Sequence, residues 1–576
     1  MIKLGTHFSS FADAKMYPSP ILKRLQIAKA RCRSYPMDNL DFVLNDLEHP
    51  ESIRRHADMC NGDLTGRYLE FLSRSLHHDA QDEERLHLLF NRILKCKTRL
   101  GPAGRIFNEE SDASVREDPF AVSSKLFIGA LRYYLESGDS KALQLAVDMA
   151  EYVFINMDKV KRQMEEVKKH NKFNMSWWIT EPMALLYAIN GDERCLEMCR
   201  LVERYMPETI DNTHSHGFMT TLRGLQFAAI YSGDLSFNRL PEKFRKEIEE
   251  RSVWADGNIP ESFPMSGRNE GCSISDWIML NLYAGFITGS GEAYEKAERA
   301  MYNAFALNQI VNGSFGHRLL NNDRKGYMQG ELSEEAWWCC VHNCGVGIVE
   351  YADHAVTLRD GRVKVNLLAP GHYKIMAEGM EVTVDITTRY PEKADTIVLI
   401  TGPAKPEVDI RAPSGIRNCR IDKTDVAGGT RYILRGDMGY YIEDAREGAV
   451  LKYGPLIMAP LRYISNTKTA TPYDDEFLQS AAPEGYVPEV MPKDQPALIP
   501  SDKIDAAGFL IYDKEPWPYW QCYEEGILSP LAYGELSINV PLYYPDGQIR
   551  LARFYPEWLS TTTLIGFDLP VVFNKG

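Results

Sequence analysis

Three cysteines and one glutamate are the residues of this sequence whose types and spacing best suit chemistry. Glu270 and Cys272 stand one residue apart, and Cys339 and Cys340 follow as an adjacent pair much later in the chain. Three thiolates and a carboxylate supply four anionic ligand atoms, which is what a tetrahedral Zn²⁺ accepts, and three sulfurs favour zinc over Mg²⁺ or Ca²⁺. We therefore predict one zinc site, although free cysteine is also a common small core residue.

A metal-held thiolate is a potential nucleophile, and a nucleophile that displaces a sugar oxygen needs a group that delivers a proton. A carboxylic acid usually has this role. Glu261 lies in a loop with Gly257 and Pro260, shortly before Glu270. A loop glutamate is ordinarily only solvated, so the residue types alone do not assign it a role.

The remaining cysteines do not suggest further chemistry. The chain has 11 cysteines, scattered rather than spaced as a disulfide framework, so we expect reduced thiols. Cys195 and Cys199 stand one helical turn apart in a segment of apolar periodicity. This spacing predicts two core residues rather than two ligands.

Length and composition indicate a multidomain globular protein. A chain of 576 residues is too long for one core, and 44% hydrophobic with 25% charged residues is an ordinary globular balance. The net charge of -15 argues against nucleic acid as a partner, because a polyanion needs a basic face. Neutral sugars or metabolites fit this charge better.

No apolar stretch is long enough to span a membrane, and the start of the chain lacks the basic-then-apolar order of a secretory signal. We therefore expect a soluble chain. Cytoplasm and periplasm both stay open, because a signal could have been removed.

Helical periodicity dominates residues 41–356, and short turns with a glycine followed by Asp or Ser divide it. Glycine can take the left-handed conformation that ends one helix, and the following Asp or Ser can cap the next. The pattern predicts stacked helical hairpins that close into a toroid. The turn glycines are Gly138, Gly191, Gly233 and Gly289.

Beyond Gly361 the apolar residues alternate, as in Val382, Val384 and Ile386, which predicts strands. The fold class is therefore mainly α and then β, with a toroid of helical hairpins followed by β-sandwich modules. The predicted domains are an N-terminal extension (1–40), a helical barrel (41–356), a β-sandwich (357–465), a linker or long excursion (466–501) and a C-terminal β module (502–576).

Four motifs in order carry a resemblance to a known family. They are Gly257-x-x-x-Glu261-x-Phe263, Glu270-x-Cys272, Tyr302-Asn303-Ala304 through Gly313, and Cys339-Cys340-x-x-Asn343. In a chain of predicted helical hairpins followed by a β-sandwich, this order of motifs resembles glycoside hydrolase family 127. That family includes β-L-arabinofuranosidases, and family 146 is related to it. The resemblance spans about residues 40–465 and is sharpest within 257–350.

The resemblance implies an (α/α)6 catalytic barrel with β-sandwich modules and a retaining glycosidase that uses a zinc-bound cysteine as nucleophile. On the matching positions, Cys339 is the expected nucleophile and Glu261 the general acid/base. Glu270, Cys272 and Cys340 are expected to complete the Zn²⁺ shell with Cys339. The expected substrate is a carbohydrate with a terminal furanose, and β-L-arabinofuranose is the favoured sugar.

Two further segments look like the barrel regions that supply sugar contacts in the family. One runs from Trp178 to Glu181, and the other includes His214 and His216, with Arg223 beyond. The resemblance implies substrate-binding roles for Trp178, Glu181, His214 and His216. A helix cap or a satisfied core histidine is an equally good interpretation of the two histidines.

The sequence also departs from the family pattern. Gly271 replaces a threonine, Val341 and His342 replace two prolines, and the segment from Glu261 to Glu270 is shorter than usual. The shorter segment could move the acid/base, so three glutamates ahead of the cysteine pair remain competitors. These are Glu331, Glu334 and Glu335.

Two alternative functions stay open at this point. A polysaccharide lyase also combines a helical toroid with β-sandwiches, and His216 with Arg223 could act on a uronate. A non-catalytic carbohydrate-binding protein with a structural zinc site is the other. The sequence leaves the oligomeric state open, with a homodimer as one option.

Overall fold

The computed structural model describes residues 9–49, 62–75, 80–99, 123–170, 173, 175–309, 313–320, 328–445, 448–463, 510–511, 538–543, 549–556 and 565–567. The predicted linker 466–501 lies outside the described residues, as does most of the predicted module 502–576. The domain boundaries given above stay predictions.

The first part of the described chain is helical, as the periodicity predicts, and β-sheets follow it. Short 3₁₀ segments at Met175–Ile179 and Leu235–Asn238 and a π turn at Met301–Phe305 interrupt the α-helices. The α-helices are Pro20–Cys32, Leu40–Val43, Asn45–Glu48, Asp63–Arg74, Ala80–Arg99, Ser124–Ser137, Ser140–Ile155, Met157–Lys169, Thr180–Asn190, Glu193–Tyr205, Ser215–Ser232, Arg239–Ser252, Gly271–Thr288, Gly291–Ala300, Ala306–Asn308 and Cys340–Asp353.

The predicted turn glycines connect consecutive helical segments. Each has a left-handed φ between 71° and 79° and follows the last residue of a helix. The next residue immediately precedes the following helical segment, and its side chain accepts a backbone N–H of that segment's first turn, which the helix itself cannot satisfy. The pairs are Gly138 with Asp139, Gly191 with Asp192, Gly233 with Asp234, and Gly289 with Ser290.

The helices Gly271–Thr288 and Cys340–Asp353 lie side by side and run in the same direction. Ser275 Oγ donates to the carbonyl of Asn343 over 2.9 Å. A Cβ on Gly347 would lie 2.2 Å from the same hydroxyl, so only glycine permits this approach. Both helices therefore begin at the same end of the helical domain.

The β part begins with mainly antiparallel sheets that include strands from the start of the chain. One sheet has the order Ser9–Phe11, Val356–Arg359, Arg362–Val365 and Val408–Ile410, with the last pair parallel. A second has the order Arg417–Val426, Gly429–Asp437, Thr396–Thr401, Met380–Thr388, Gly371–Ala377 and Asp13–Met16. A third has the order Tyr440–Ala445, Gly448–Tyr453, Leu456–Tyr463, Ile549–Pro556, Ile538–Tyr543 and Leu510–Ile511, and Ile565–Phe567 also pairs with Leu456–Tyr463. A separate hairpin joins Gly316–Leu320 to Met328–Glu335.

The alternation in the sequence matches burial in the second sheet. Val382, Val384 and Ile386 are fully buried, and Val384 pairs directly with the buried Tyr373. Residues of both sheets and of the helices belong to one continuous hydrophobic core. Within the described residues, no helix is long and apolar enough to cross a membrane.

Candidate active site

The structure brings Glu270, Cys272, Cys339 and Cys340 together at the beginnings of two helices. Glu270 immediately precedes the helix Gly271–Thr288, and Cys272 lies in its first turn. Cys339 immediately precedes the helix that begins at Cys340. Because the two helices begin at the same end, one ligand atom of each residue lies within 4.8 Å of the others, and all four residues are buried.

The distances within this cluster fit a tetrahedral zinc ion. Cys339 Sγ lies 3.6 Å from both Cys340 Sγ and Glu270 Oε1, and Cys340 Sγ lies 3.9 Å from the same oxygen. A tetrahedron with Zn–S bonds of the usual length has sulfur-to-sulfur edges of about 3.8 Å. The donor set and its spacing therefore suit a metal ion, although the structure itself identifies none.

Electrostatics within the cluster favour a bound cation. Burial raises the pKa of Glu270, Cys272 and Cys340 well above their usual ranges, and the neighbouring anionic groups raise them further. A cation at the centre reverses this preference, because it stabilises the deprotonated ligands and releases their protons. The positive ends of the two helices act in the same direction.

Glu261 lies beside the cluster, at the more exposed side. Its carboxylate accepts hydrogen bonds from Arg268, one of them 2.8 Å long, and its Oε1 lies 3.7 Å from His317 Nε2. The Glu261 side chain is 18% exposed. Ligand atoms of His214, Glu261 and Glu270 lie within 4.8 Å of one another, which makes Glu261 a neighbour of the zinc-ligand candidates.

His214 has the helix-cap role that the sequence left open. Its Nδ1 accepts the backbone N–H of Gly217 over 3.3 Å at the start of the helix Ser215–Ser232. The proton of the neutral ring is therefore on Nε2, which lies 3.5 Å from Glu270 Oε2. Ser273 Oγ donates to the same oxygen over 3.4 Å, so two neighbours orient the carboxylate of Glu270.

His216 and Glu181 belong to a buried network of charges. His216 Nδ1 is hydrogen-bonded to Asp276, and Arg223 donates to Asp276 over 2.7 Å and to both oxygens of Glu181 over 3.0 and 3.2 Å. Although burial opposes ionisation, His216 and Arg223 hold the pKa of Asp276 well below its usual range. Burial lowers the pKa of His216 to about 4, so its ring is neutral at pH 7.

Trp178 packs between this network and two buried cations. Its ring lies 4.9 Å from the ring of His216, and the charged groups of Arg67 and Lys125 lie 5.4 and 5.5 Å from its centre. A Cβ on Gly217 would lie 2.4 Å from Trp178 Nε1, so this glycine permits the packing. Trp178 is only 6% exposed.

Comparison with known proteins identifies the family. A family model described as the β-L-arabinofuranosidase, GH127 catalytic domain matches residues 30–353, more than half of the chain. This chain belongs to glycoside hydrolase family 127. It is a β-L-arabinofuranosidase-like glycoside hydrolase, as the sequence motifs indicate.

Solved structures share the fold of this family 127 chain over nearly its whole length. A family 127 β-arabinofuranosidase matches with a TM-score of 0.65 and 13% identity, over 98% of this chain and 97% of that one. A family 127 β-L-arabinofuranosidase from Geobacillus stearothermophilus T6 matches with a TM-score of 0.64 and 11% identity, over 96% and 99%. A structure described as a glycoside hydrolase gives 0.63 and 12%, over 97% and 96%. None of the curated proteins compared with the chain matches it by sequence.

The structure shows what surrounds two of the residues that depart from the family 127 pattern. A Cβ on Gly271 would lie 2.7 Å from Asn308 Oδ1 and 3.2 Å from Cys344 Sγ, so no side chain fits there. His342 is buried with its ring 5.7 Å from that of Tyr68, and burial lowers its pKa to about 3. The site of this chain is thus packed around a glycine and a neutral histidine.

The structure describes the side chain of only one of the three competing glutamates. Glu335 is buried and forms an ion pair with Arg31 over 2.6 Å. Glu331 and Glu334 lie on the strand Met328–Glu335, and their side chains are outside the described residues. The assignment of the acid/base therefore stays a prediction.

Sequence reasoning missed Asp276 and Arg67. Asp276 stands four residues after Cys272, on the same face of the same helix, and this spacing could have indicated it. Arg67 comes from the distant helix Asp63–Arg74, and no local pattern connects it to the cluster. Cys195 and Cys199 are buried in the hydrophobic core, as expected.

Proposed function

We propose that this family 127 enzyme is a retaining glycoside hydrolase with the thiolate of Cys339 as nucleophile and Glu261 as general acid/base. Its substrate is a glycan with a terminal furanose, and β-L-arabinofuranose is the favoured sugar. Glu270, Cys272, Cys339 and Cys340 hold Zn²⁺ in this proposal. Trp178, Glu181, His214 and His216 are the proposed substrate-binding residues.

One observation carries the proposal: a buried cluster of three sulfurs and a carboxylate lies beside a second, more exposed carboxylate in a family 127 catalytic domain. The cluster supplies the anionic sulfur, and Glu261 supplies the group that exchanges protons with solvent and substrate. His214 connects the two, because its atoms lie within 4.8 Å of both Glu261 and Glu270.

The reaction proceeds in two displacements. Cys339 Sγ attacks the anomeric carbon while the bond to the leaving oxygen breaks, and Glu261 gives that oxygen its proton. The Glu261 carboxylate then takes a proton from water, whose oxygen attacks the anomeric carbon while the carbon–sulfur bond breaks. Two inversions give net retention. Zinc, when bound, keeps the cysteine sulfurs deprotonated at neutral pH.

In this proposal Arg268 positions the carboxylate of Glu261. Arg268 holds the carboxylate from the solvent side, and the backbone N–H of Glu261 donates to the carbonyl of Arg268 over 3.0 Å. The arginine side chain is 40% exposed, so a sugar that enters the site can displace it without unfolding the loop.

The arginine that the lyase alternative requires is already compensated. Arg223 contacts the carboxylates of Glu181 and Asp276 and is itself buried. All three of its guanidinium nitrogens donate to these two carboxylates, so it is not available to bind a uronate. This geometry favours the hydrolase over the lyase.

The test replaces Cys339 by alanine and compares it with Cys195→Ala, a buried core thiol of the helix Glu193–Tyr205 that lies outside the cluster. Release of the aryl group from an aryl β-L-arabinofuranoside is measured for both variants. We expect Cys339→Ala to lose several orders of magnitude in turnover and Cys195→Ala to stay active. Activity of Cys339→Ala near that of the wild type would refute the nucleophile assignment.

A panel of aryl furanosides and pyranosides, with NMR of the first-formed anomer, tests the sugar and the stereochemistry. Retention with a furanoside supports the proposal, and inversion contradicts it. An unsaturated, ultraviolet-absorbing product identifies a lyase. Sugar binding without release of reducing sugar from any glycan identifies a binding protein.

A further inference from the structure

A zinc ion in the proposed site creates excess negative charge in a buried position. Three thiolates and a carboxylate outweigh the charge of a divalent cation, and water is largely excluded from the cluster. Burying an uncompensated charge is costly, so a nearby fixed cation stabilises the loaded site. The structure contains such a cation in Arg67.

Arg67 is buried and held from two sides. Its Nε donates to Asp63 over 2.7 Å, and its Nη1 lies 3.2 Å from Nε2 of His216. Its Nη2 is buried and has no hydrogen-bond acceptor among the described residues. The guanidinium therefore keeps one donor group that the protein around it does not use.

The contact with His216 requires a particular protonation of that ring. Arg67 can only donate, so His216 Nε2 accepts, and the ring proton is on Nδ1, where Asp276 accepts it. Asp276 also accepts from Asn343 Nδ2 over 3.2 Å, and the same nitrogen donates to the carbonyl of Cys272 over 3.3 Å. A continuous chain of hydrogen bonds thus connects Arg67 to a predicted zinc ligand.

The position of helix Asp63–Arg74 supports the same conclusion. Tyr68 contacts His342, and a Cβ on Gly345 would lie 2.2 Å from the ring of Phe71, so this helix packs closely on the helix that begins at Cys340. Although burial opposes its ionisation, Asp63 and the sulfurs of Cys272 and Cys339 raise the pKa of the Arg67 guanidinium above its usual range. Burial raises the pKa of Glu270, and Arg67 partly offsets that rise.

We propose that Arg67, fixed by Asp63 and by neutral His216, is the buried countercharge that stabilises the zinc-loaded cluster of Glu270, Cys272, Cys339 and Cys340. The inference rests on the proposed function, because it requires the zinc site. Three thiolates and one carboxylate outweigh one divalent ion, so the loaded cluster carries excess negative charge. A fixed positive charge nearby therefore favours retention of the metal.

The experiment measures zinc retention against a chromogenic zinc chelator at fixed pH in full-length protein. The variants are Arg67→Met, which removes the charge, and Arg67→Lys, which keeps it. We expect Arg67→Met to lower zinc affinity by about 10- to 100-fold, the range typical of outer-shell changes. Arg67→Lys should recover most of that loss, a pattern that a merely space-filling role would not produce.

Arg67→Met leaves the Asp63 carboxylate without this cation, so the double variant Asp63→Asn/Arg67→Met is included in case the single variant does not fold. Asp63→Asn, which keeps the arginine charge, is the matched control for the double variant. Circular dichroism checks the fold of each variant. Wild-type affinity in folded Arg67→Met, or equal affinities of the double variant and Asp63→Asn, overturns the inference while the zinc site stands. Wild-type protein that holds no zinc overturns both the zinc site and the inference.

Discussion

The buried ring of His216 makes stability depend on pH. Burial lowers its pKa from an ordinary value near 6.5 to about 4, and the hydrogen bond from Arg67 also requires the neutral form. In the unfolded chain the ring regains its ordinary pKa. Between pH 6.5 and 4 the unfolded chain therefore binds a proton that the folded protein does not, and the free energy of unfolding falls as the pH falls.

The size of this effect follows from the two pKa values. Each pKa unit corresponds to about 1.4 kcal/mol, so the full penalty below pH 4 is about 3.4 kcal/mol. At pH 5 the unfolded ring is almost fully protonated and the folded ring mostly neutral, which gives about 2 kcal/mol. At pH 7 the contribution is only about 0.2 kcal/mol.

The test compares wild type with His216→Gln, whose amide can accept from Arg67 and donate to Asp276 but cannot titrate. Urea unfolding is followed at pH 7 and pH 5 in a chelator, so that zinc release does not contribute. We expect the wild type to lose about 2 kcal/mol more than His216→Gln between the two pH values. His372→Gln, with a ring 31% exposed, is the control and should behave as the wild type.

Equal losses for wild type and His216→Gln would refute the reasoning. That result would mean that the ring titrates alike in the folded and unfolded states. The buried hydrogen bonds to Arg67 and Asp276 would then not describe the protein in solution.

Three further predictions concern packing, charge and thiols. Gly271→Ala should destabilise the protein by about 1–3 kcal/mol and lower its zinc content, because the new Cβ would lie 2.7 Å from the side-chain oxygen of Asn308. Gly291→Ala is the control, and its new Cβ would have its nearest contact at 3.5 Å. Thermal unfolding and zinc analysis should show no loss for this control. Arg223→Met should lower the free energy of unfolding by about 3–5 kcal/mol, because it leaves two buried carboxylates without their cation. Arg194 is 48% exposed, so Arg194→Met should lower it by less than about 1 kcal/mol. Cys199→Ala should leave zinc content and activity unchanged, since burial raises the pKa of this core thiol to about 12; loss of zinc would contradict that interpretation.

The parts of the fold that depend on local chemistry could be predicted from the sequence. The glycines at 138, 191, 233 and 289 end helices because a left-handed φ favours residues without Cβ, and the next residue caps because its side chain is short and polar. Alternation at Val382, Val384 and Ile386 predicts one buried face because side chains alternate along a strand. Neither inference needs contacts between distant residues.

The zinc-ligand candidates could be predicted because three cysteines and a glutamate in these two motifs are a typical set of metal ligands. Their neighbours could not be predicted in the same way. Arg67 and Asp276 are ordinary charged residues of helices that lie far apart in sequence, and their importance depends on which helices pack together. His216 and Glu181 drew attention through their motifs, but the network that buries them depends on tertiary contacts.

The cluster depends on the register of two helices rather than on either motif alone. Each motif places one pair of ligands at a helix start, and a slip of one helical turn would move one pair by about 5.4 Å, beyond the reach of a single ion. Two close contacts hold the register: Gly347 against Ser275, and Gly271 near Cys344. A Cβ at position 347 would lie 2.2 Å from Ser275 Oγ, and one at position 271 would lie 3.2 Å from Cys344 Sγ, so both contacts favour glycine. The glycine that departs from the family pattern is therefore one of the residues that fix the distance between the ligand pairs.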